Sequence, residues 1–163
     1  MAKKVSYQNF RFEEYIPEQK ILDVVKNIAT QIEKDLSGQK PLFIGVLNGS
    51  FRFLNDLFSH FTMDCEVEFI KLKSYESTES TGKITELIGL RDSLKDRVVV
   101  VVEDIIDTGL TMANVINDVL AMNPKEVKVA TMFLKPEIYK GALMPDYVGM
   151  EVPPEFIIGY GLD

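Results

Sequence analysis

Five consecutive valines, at positions 98–102, restrict the fold of this chain more than any other feature of its sequence. β-branched residues favour strands, and an apolar run without alternation is typical of a strand buried on both faces. Such strands occur in parallel sheets that are covered by helices. Three acids follow the run, at Glu103, Asp104 and Asp107. Because open α/β sheets bind ligands at the carboxyl ends of their strands, these acids predict a catalytic loop.

Strand-like and helix-like segments alternate along most of the chain. Apolar or partly alternating segments of strand length occupy 42–47, 66–73, 84–88, 98–102 and 127–134. Apolar residues at helical spacing occupy 17–37, 51–61 and 112–120. This alternation indicates an α/β fold with a parallel sheet and right-handed crossovers, and it predicts helices on both faces of the sheet.

The turn after the three acids suits a phosphate. Thr108, Gly109 and Thr111 offer hydroxyls and a permissive backbone, and they lead into a predicted helix whose first N–H groups favour an anion. The carboxylates would repel a bare phosphate, so they better suit hydroxyl groups, a cation or a proton on an uncharged base. A sugar phosphate fits this pattern, because its phosphate suits the turn and its hydroxyl groups suit the carboxylates. The alternative is that these residues are ordinary turn and capping residues, for which Asp and Thr are also favoured.

Charge and cysteine content bear on partners and compartment. The formal net charge of −7 disfavours nonspecific binding to nucleic acid. The single cysteine, Cys65, cannot form an internal disulfide, which fits a reducing compartment. The N-terminus is polar and no apolar run approaches the length of a membrane span. We therefore expect one cytoplasmic domain of 163 residues, without nucleic-acid or membrane partners.

The segment from Glu103 to Gly109 resembles the phosphoribosyl pyrophosphate loop of the type I phosphoribosyltransferases, in particular of their hypoxanthine-guanine branch. Other segments resemble that family in the same order along nearly the whole chain, at 47–50, 73–75, 127–135 and 145–149. The resemblance implies a parallel-sheet core over about 17–140, a flexible lid hairpin, and a small hood formed by 1–16 and 141–163. Family members usually form dimers or tetramers, so we expect a homodimer or homotetramer.

The resemblance also implies an activity in purine salvage. The enzyme would transfer the 5-phosphoribosyl group from phosphoribosyl pyrophosphate to N9 of hypoxanthine, and of guanine, with Mg²⁺ as cofactor. The products would be IMP or GMP and pyrophosphate. Family members continue past Asp163 into a segment with an arginine near the pyrophosphate, so either this sequence is cut short or the pyrophosphate is held differently.

The family assigns roles to the residues around the valine run. By resemblance, Glu103 and Asp104 engage the ribose hydroxyls and the metal. Asp107 lies in the same phosphoribosyl site and is the candidate general base, or proton acceptor, at purine N7. The 5′-phosphate would be held by Thr108, Gly109, Leu110 and Thr111. The purine would be bound by Lys135, Ile105, Tyr147 and Val148.

In the family, Lys135 donates a hydrogen bond to the exocyclic oxygen of a 6-oxopurine, where an adenine amino group could not accept one. Tyr147 would stack on the base between the apolar side chains of Ile105 and Val148. A lone aromatic residue near a C-terminus is more often part of the core, so the role of Tyr147 depends on the resemblance alone.

Two further segments match the family's pyrophosphate turn and lid. The turn comprises Leu47, Asn48, Gly49 and Ser50. Many members have a non-proline cis peptide bond in this turn and a lysine at the position of Asn48. The lid would include Ser74 and Tyr75, and it would shield the reacting sugar carbon from water. On composition alone, the polar stretch 74–83 is more typical of a surface loop without packed structure, and the resemblance favours the lid.

Other functions remain open from the sequence alone. On the same fold, the chain could be a xanthine or pyrimidine phosphoribosyltransferase, because Lys135 meets an oxygen in several bases. It could also be a nucleotide-sensing regulator that binds RNA, which the net charge of −7 disfavours. A phospho-receiver domain would carry an acidic pair after an early strand, where this chain has Asn48, Gly49 and Ser50.

Overall fold

The computed structural model describes residues 4–7, 10–74, 84–88, 90 and 93–162. Its helices are α1 (Glu18–Asp35), α2 (Ser50–Phe58) and α3 (Leu110–Ala121). Its strands are β1 (Lys4–Tyr7), β2 (Phe10–Glu13), β3 (Leu42–Leu47), β4 (Glu66–Ser74), β5 (Ile84–Ile88), β6 (Val98–Ile106), β7 (Glu126–Leu134) and β8 (Tyr147–Glu151). Within these ranges, none of the helices combines the length and apolar composition needed to cross a bilayer.

Six of the strands form one sheet in the order β5-β4-β3-β6-β7-β8. The pairs from β4 to β8 are parallel, and β5 lies antiparallel to β4 at one edge. The chain proceeds from β3 to β4 on one side and later from β6 to β7 and β8 on the other. The strand order therefore reverses between β3 and β6, which is where open α/β sheets form their binding crevice.

The valine run lies in the middle of the sheet and contributes to both of its faces. Val98, Val100 and Val102 pack with α1 and α2, while Val99 and Val101 pack with α3. None of the five is more than 6% exposed. Successive side chains of a strand point to opposite faces, so a run without alternation needs apolar cover on both. The predicted α/β fold with helices on both faces is confirmed.

Strand β6 is longer than the valine run. It continues to Ile106, and Glu103 and Ile105 pair with residues of β7. Glu103 and Asp104 are therefore strand residues instead of members of a catalytic loop, and the turn begins only at Asp107. Polar composition suggested a loop, but parallel pairing with β7 extends the strand past the last valine. Helix α2 is shorter than expected and ends at Phe58.

The C-terminal part of the chain divides between the sheet and the site. Residues 147–151, which lie within the expected hood, form β8, and β8 pairs in parallel with β7 in the main sheet. The ladder ends after Val152, whose N–H donates to Leu134 O at 2.9 Å. Pro153 and Pro154 have no N–H to extend it, and the chain leaves the sheet at the carboxyl ends of the strands.

The N-terminal residues form a separate two-stranded antiparallel sheet, β1 and β2. The Phe12 ring lies 6.3 Å from the Phe156 ring, measured between centroids. The N-terminal hairpin therefore contacts the segment that follows β8. This contact is consistent with a hood made from both ends of the chain, although the bounds of that hood stay a prediction.

Candidate active site

Two turns meet at the carboxyl edge of the sheet, one after β3 and one after β6. The Leu47–Asn48 peptide bond in the first turn is cis, as the family resemblance implied. Helix α2 begins at Ser50, directly after this turn, and helix α3 begins at Leu110, directly after the other. The amino ends of both helices therefore lie at the switch point, and the amino end of a helix favours an anionic ligand.

Gly49 brings the first turn against the acids of β6. A Cβ added at Gly49 would overlap the Asp104 carboxylate, so only glycine allows this approach. The Asp104 side chain is itself oriented by the backbone, because Ile105 N–H donates to Asp104 Oδ1 at 2.8 Å. Asp104 is thus held beside the predicted pyrophosphate turn.

Glu103 is buried beside Asp104. Glu103 is only 9% exposed, and its Oε1 accepts a hydrogen bond from Asp104 N–H at 3.3 Å. Burial raises the pKa of Glu103 well above its usual range, and the neighbouring Asp104 carboxyl raises it further. A cation or hydroxyl donors at this point would favour the ionised form of Glu103.

The donor chemistry of these two acids fits a divalent cation, which prefers carboxylate oxygens. In the part of the chain that the structure describes, no group of three or more His, Cys, Asp or Glu side chains is arranged to hold a metal by itself. A metal held by Glu103 and Asp104 therefore needs its remaining ligands from water or substrate, as is usual for Mg²⁺ bound with phosphates.

Asp107 and Lys135 form an ion pair across the ends of β6 and β7. The Asp107 Oδ1 to Lys135 Nζ distance is 2.9 Å. The Lys135 side chain is 9% exposed, whereas that of Asp107 is 51% exposed. The backbone fixes the lysine, because Lys135 N–H donates to Ile106 O at 3.0 Å. The site thus presents a donor and an acceptor side by side.

The turn after β6 is braced by a segment that sequence analysis did not identify. Gly109 has φ of 84°, a left-handed conformation that favours glycine, and Leu110 N–H donates to Thr108 Oγ1 at 3.4 Å. Lys140 N–H donates to Thr108 O at 3.0 Å. The Tyr139 ring lies so close that a Cβ at Gly109 would come within 2.5 Å of it. The segment after β7 therefore shapes the predicted phosphate turn.

A cavity of about 240 Å³ opens between these parts. Its lining combines residues from both turns, the end of β7 and the segment after β8. They are Gly49, Asp104, Ile105, Asp107, Lys135, Phe156, Ile157, Gly161 and Leu162. The cavity therefore joins a charged side, formed by the acids and the lysine, to an apolar side formed by Phe156, Ile157 and Leu162.

Tyr147 and Val148 are not at this cavity. Tyr147 is 3% exposed, lies in the core with α1, and donates from its hydroxyl to Asp35 Oδ2 at 3.1 Å. It is the first residue of β8 and pairs with Ala130, four positions before the end of β7. Val148 packs among the residues that face α3. Neither side chain can therefore form the predicted purine contact.

Phe156 is the aromatic residue that lines this cavity. It is 67% exposed and lines the cavity together with Ile157. A signal for it existed in the sequence, since Pro153 and Pro154 end β8 and leave the apolar residues after them without a strand to join. An apolar segment at the carboxyl edge of a parallel sheet lies over the ligand crevice.

The segment that carries Phe156 is attached to the first turn. Tyr160 OH donates to Asp56 Oδ2 in α2 at 2.8 Å, and Arg52 lies 5.6 Å from the centroid of the Tyr160 ring. A Cβ at Gly161 would come within 2.6 Å of Gly49 O. These contacts, which the sequence did not predict, fix the apolar side of the cavity against α2 and the turn before it.

The predicted lid is only partly within the described residues. Ser74 is the last residue of β4, and its backbone pairs with Ile84 of β5. Tyr75 lies outside the described residues. Strands β4 and β5 thus bracket the predicted lid, whose contacts stay a prediction.

Comparison with known proteins identifies the family. A model of the phosphoribosyl transferase domain matches residues 12–163. The chain is 36% identical to the hypoxanthine-guanine phosphoribosyltransferase of Bacillus subtilis over 91% of its own length and 83% of that protein. It is 37% identical to the human protein of the same name over 91% of its own length and 73% of that protein.

Solved structures agree with the sequence comparison. A hypoxanthine-guanine phosphoribosyltransferase from Bacillus anthracis matches with a TM-score of 0.83 and 41% identity, over 91% of this chain and 86% of that one. A hypoxanthine phosphoribosyltransferase from Trypanosoma cruzi, in complex with the product IMP, matches with a TM-score of 0.84 and 31% identity, over 99% of this chain and 87% of that one. The chain belongs to the phosphoribosyltransferase family, with hypoxanthine-guanine phosphoribosyltransferases among its relatives.

Proposed function

We propose that this chain transfers the 5-phosphoribosyl group from phosphoribosyl pyrophosphate to N9 of hypoxanthine and guanine. The products are IMP or GMP and pyrophosphate, and the physiological role is purine salvage. The observation that carries this proposal is the ion pair of Asp107 and Lys135, which lines a cavity beside a phosphate-suited turn. The relatives with this name, and the one solved with IMP, support the choice of base.

The ion pair matches one edge of a 6-oxopurine. O6 accepts hydrogen bonds and N7–H donates one, and these atoms are neighbours on the same edge of the ring. Lys135 is a donor only, and Asp107 in its ionised form is an acceptor only. Because Oδ1 and Nζ are 2.9 Å apart, one base can meet both groups at once. Adenine has an amino group at position 6 and would face the lysine with a second donor.

Asp107 then serves as the proton acceptor at N7. Bond formation at N9 makes the ring electron-poor, and the N7 proton has to leave for a neutral nucleotide to form. A half-exposed carboxylate beside N7 can take this proton as general base. Lys135 donates a hydrogen bond to O6, whose partial negative charge it stabilises, and holds the base with N7 beside Asp107.

The sugar and its phosphates occupy the two turns. The 5′-phosphate binds the N–H groups and hydroxyls of 108–111, at the start of α3. Glu103 and Asp104 engage the ribose hydroxyls and would hold Mg²⁺, which when bound neutralises part of the charge on the leaving pyrophosphate. The pyrophosphate binds at residues 47–50, where α2 begins. A lid that includes Ser74 and Tyr75 closes over the reacting carbon and excludes water.

A panel of bases tests the proposed reaction. The protein is incubated with phosphoribosyl pyrophosphate, Mg²⁺ and one of hypoxanthine, guanine, xanthine, adenine or uracil, and nucleotide formation is followed by chromatography. We expect turnover of hypoxanthine and guanine and none of adenine or uracil. Xanthine also has an oxygen at position 6. Its rate relative to hypoxanthine and guanine therefore measures how strongly contacts other than that of Lys135 discriminate among these bases. No nucleotide from any base contradicts the proposal, and retention of RNA would then be measured to test a regulatory role.

The apolar side of the cavity gives a second prediction. Replacing Phe156 with alanine removes the aromatic face on which the base stacks, a contact worth about 1–3 kcal/mol for stacked bases. We expect the KM for hypoxanthine to rise about tenfold or more, with a much smaller change in the KM for phosphoribosyl pyrophosphate. Initial rates measured against each substrate in turn separate the two constants.

Tyr147→Phe is the matched control for Phe156→Ala. It removes the hydroxyl that Tyr147 donates to Asp35 and leaves the ring in the core. We expect a lower melting temperature and an unchanged KM for hypoxanthine. A higher KM in Tyr147→Phe, with a normal KM in Phe156→Ala, would return the stacking role to Tyr147.

The proposal also includes the cellular compartment and the oligomeric state of the enzyme. We infer a cytoplasmic enzyme from the lone Cys65, because a single cysteine fits a reducing compartment. We infer a homodimer or homotetramer from the family. Sedimentation or light scattering of the purified protein measures this directly.

A further inference from the structure

We propose that Lys71 supplies the positive charge that meets the pyrophosphate at the turn after β3. This inference rests on the proposed function and adds a binding residue to the same site. The turn itself offers the neutral amide of Asn48, where many family members have a lysine. A cation from the neighbouring strand β4 takes over that task.

The strand register places Lys71 at the turn. β3 and β4 run in parallel, and Lys71 pairs with Leu47, the residue on the amino side of the cis peptide bond. The Lys71 ammonium donates to Asn48 Oδ1 at 3.2 Å. Asn48 therefore holds the Nζ atom of Lys71 beside the residues that are proposed to bind pyrophosphate.

Among the cations that the structure describes near the site, Lys71 differs from Lys135 and Arg52 in its partner. Lys135 is paired with the carboxylate of Asp107, and Arg52 lies over the Tyr160 ring. Among the side chains that the structure describes, the hydrogen-bond partner of Lys71 is a neutral amide. An amide oxygen orients an ammonium group without cancelling its charge, and two of the three ammonium protons stay available for phosphate oxygens.

The position of Lys71 also predicts which ligands bind more weakly when this lysine is replaced. The 5′-phosphate is assigned to the turn after β6, and the base to the cavity beside Lys135. Lys71 lies at the turn after β3, so it contacts the pyrophosphate end of the donor substrate. The nucleotide product has no pyrophosphate. Loss of Lys71 therefore weakens binding of phosphoribosyl pyrophosphate and of free pyrophosphate, and it leaves IMP binding unchanged.

Lys71→Gln tests this selectivity. Removing one charge-assisted contact to a phosphate is expected to raise the Kd for pyrophosphate, measured by calorimetry with Mg²⁺, about tenfold. The KM for phosphoribosyl pyrophosphate is expected to rise by a similar factor, and the Kd for IMP and the KM for hypoxanthine to stay within about twofold. Equal weakening of pyrophosphate and IMP, or no weakening of either, overturns the role of Lys71.

Lys40→Gln is the matched control. It removes the same charge at the opposite end of the sheet, where Lys40 Nζ lies 2.8 Å from Glu66 Oε1. All four constants are expected to stay at wild-type values, so a change common to both variants would reveal a general effect of net charge and overturn the specific assignment.

A rescue variant separates charge from local structure. Asn48→Lys in the Lys71→Gln background returns a cation to the turn, one residue from Leu47, which pairs with Lys71. Pyrophosphate binding is expected to recover to within about threefold of the wild type. Failure to recover overturns the charge-based role. The calorimetry needs no turnover, so a wild-type protein that is inactive with every base contradicts the proposed reaction and still reports on Lys71.

Discussion

Replacing Asp107 with asparagine is expected to lower kcat by about 10²–10⁴-fold, the usual contribution of a positioned general base. An amide oxygen can still accept a hydrogen bond from N7–H, but it cannot take the proton. The KM for phosphoribosyl pyrophosphate is expected to change much less than kcat, because the donor's phosphates bind other residues. Steady-state rates with hypoxanthine at saturating donor measure the effect.

Asp118→Asn is the control for this variant. Asp118 is an exposed residue of α3, outside the cavity lining, and the substitution removes the same charge. We expect normal kinetics from it. Asp107→Asn also leaves the largely buried Lys135 ammonium without its carboxylate, so we expect some loss of stability, which thermal unfolding measures separately from the rates. A kcat equal to the wild-type value in Asp107→Asn would remove Asp107 from the mechanism.

Replacing Gly49 with alanine is expected to reduce kcat/KM for phosphoribosyl pyrophosphate by about 100-fold or more, because misplacement of a site by an ångström has effects of this size. The new Cβ would overlap the Asp104 carboxylate, so either the turn or the acid has to move. Overpacking of this kind also destabilises a protein by about 1–3 kcal/mol. Kinetics with varied donor and thermal unfolding together measure both consequences.

Two further variants separate the causes in Gly49→Ala. At Gly38 the φ angle is 75° and an added Cβ would have no atom within 4 Å, so Gly38→Ala is expected to lower stability without affecting the kinetics. Adding Asp104→Ala to Gly49→Ala removes the overlapping carboxylate. We expect this double variant to regain stability and to stay inactive, because Asp104 is lost. Normal donor kinetics in Gly49→Ala would show that the turn tolerates the side chain and would contradict the assigned role of Gly49.

Much of the fold follows from short segments of the sequence. The bounds of β3 and β5 agree with the apolar runs, and α1 begins one residue after Pro17. These elements are governed by local composition, with turn residues at their ends. β6 extends further than its apolar run. Its last four residues begin with the acids Glu103 and Asp104, whose composition suggests a loop, but the segment continues the strand because it pairs with β7. Pairing between distant segments has no signal in local composition.

The sequence resemblance places the purine contact at Tyr147, whereas we propose Phe156 from the structure, and the reason for the difference is topological. Tyr147 and Phe156 both lie in the C-terminal segment, and composition does not distinguish them. The parallel direction of β8 does, because its first residue, Tyr147, pairs with Ala130 in the middle of β7, short of the carboxyl ends where the ligand crevice lies. The contact of Tyr139 with Gly109 and the hydrogen bond of Tyr160 to Asp56 join residues that are far apart in the sequence, and neither helical nor strand spacing predicts these contacts. They emerge only from the assembled structure.

The central position of β6 has a consequence for how the site fluctuates. The strand is buried on both faces and has hydrogen-bonded neighbours on both sides, so its backbone opens only when much of the sheet opens. Glu103 and Asp104 share that protection. Phe156 stands on a short stretch after two prolines, outside any ladder, and its segment is held by side-chain contacts such as that of Tyr160 with Asp56. We therefore expect amide hydrogen exchange to be slowest at Glu103 and Asp104 and faster around Phe156.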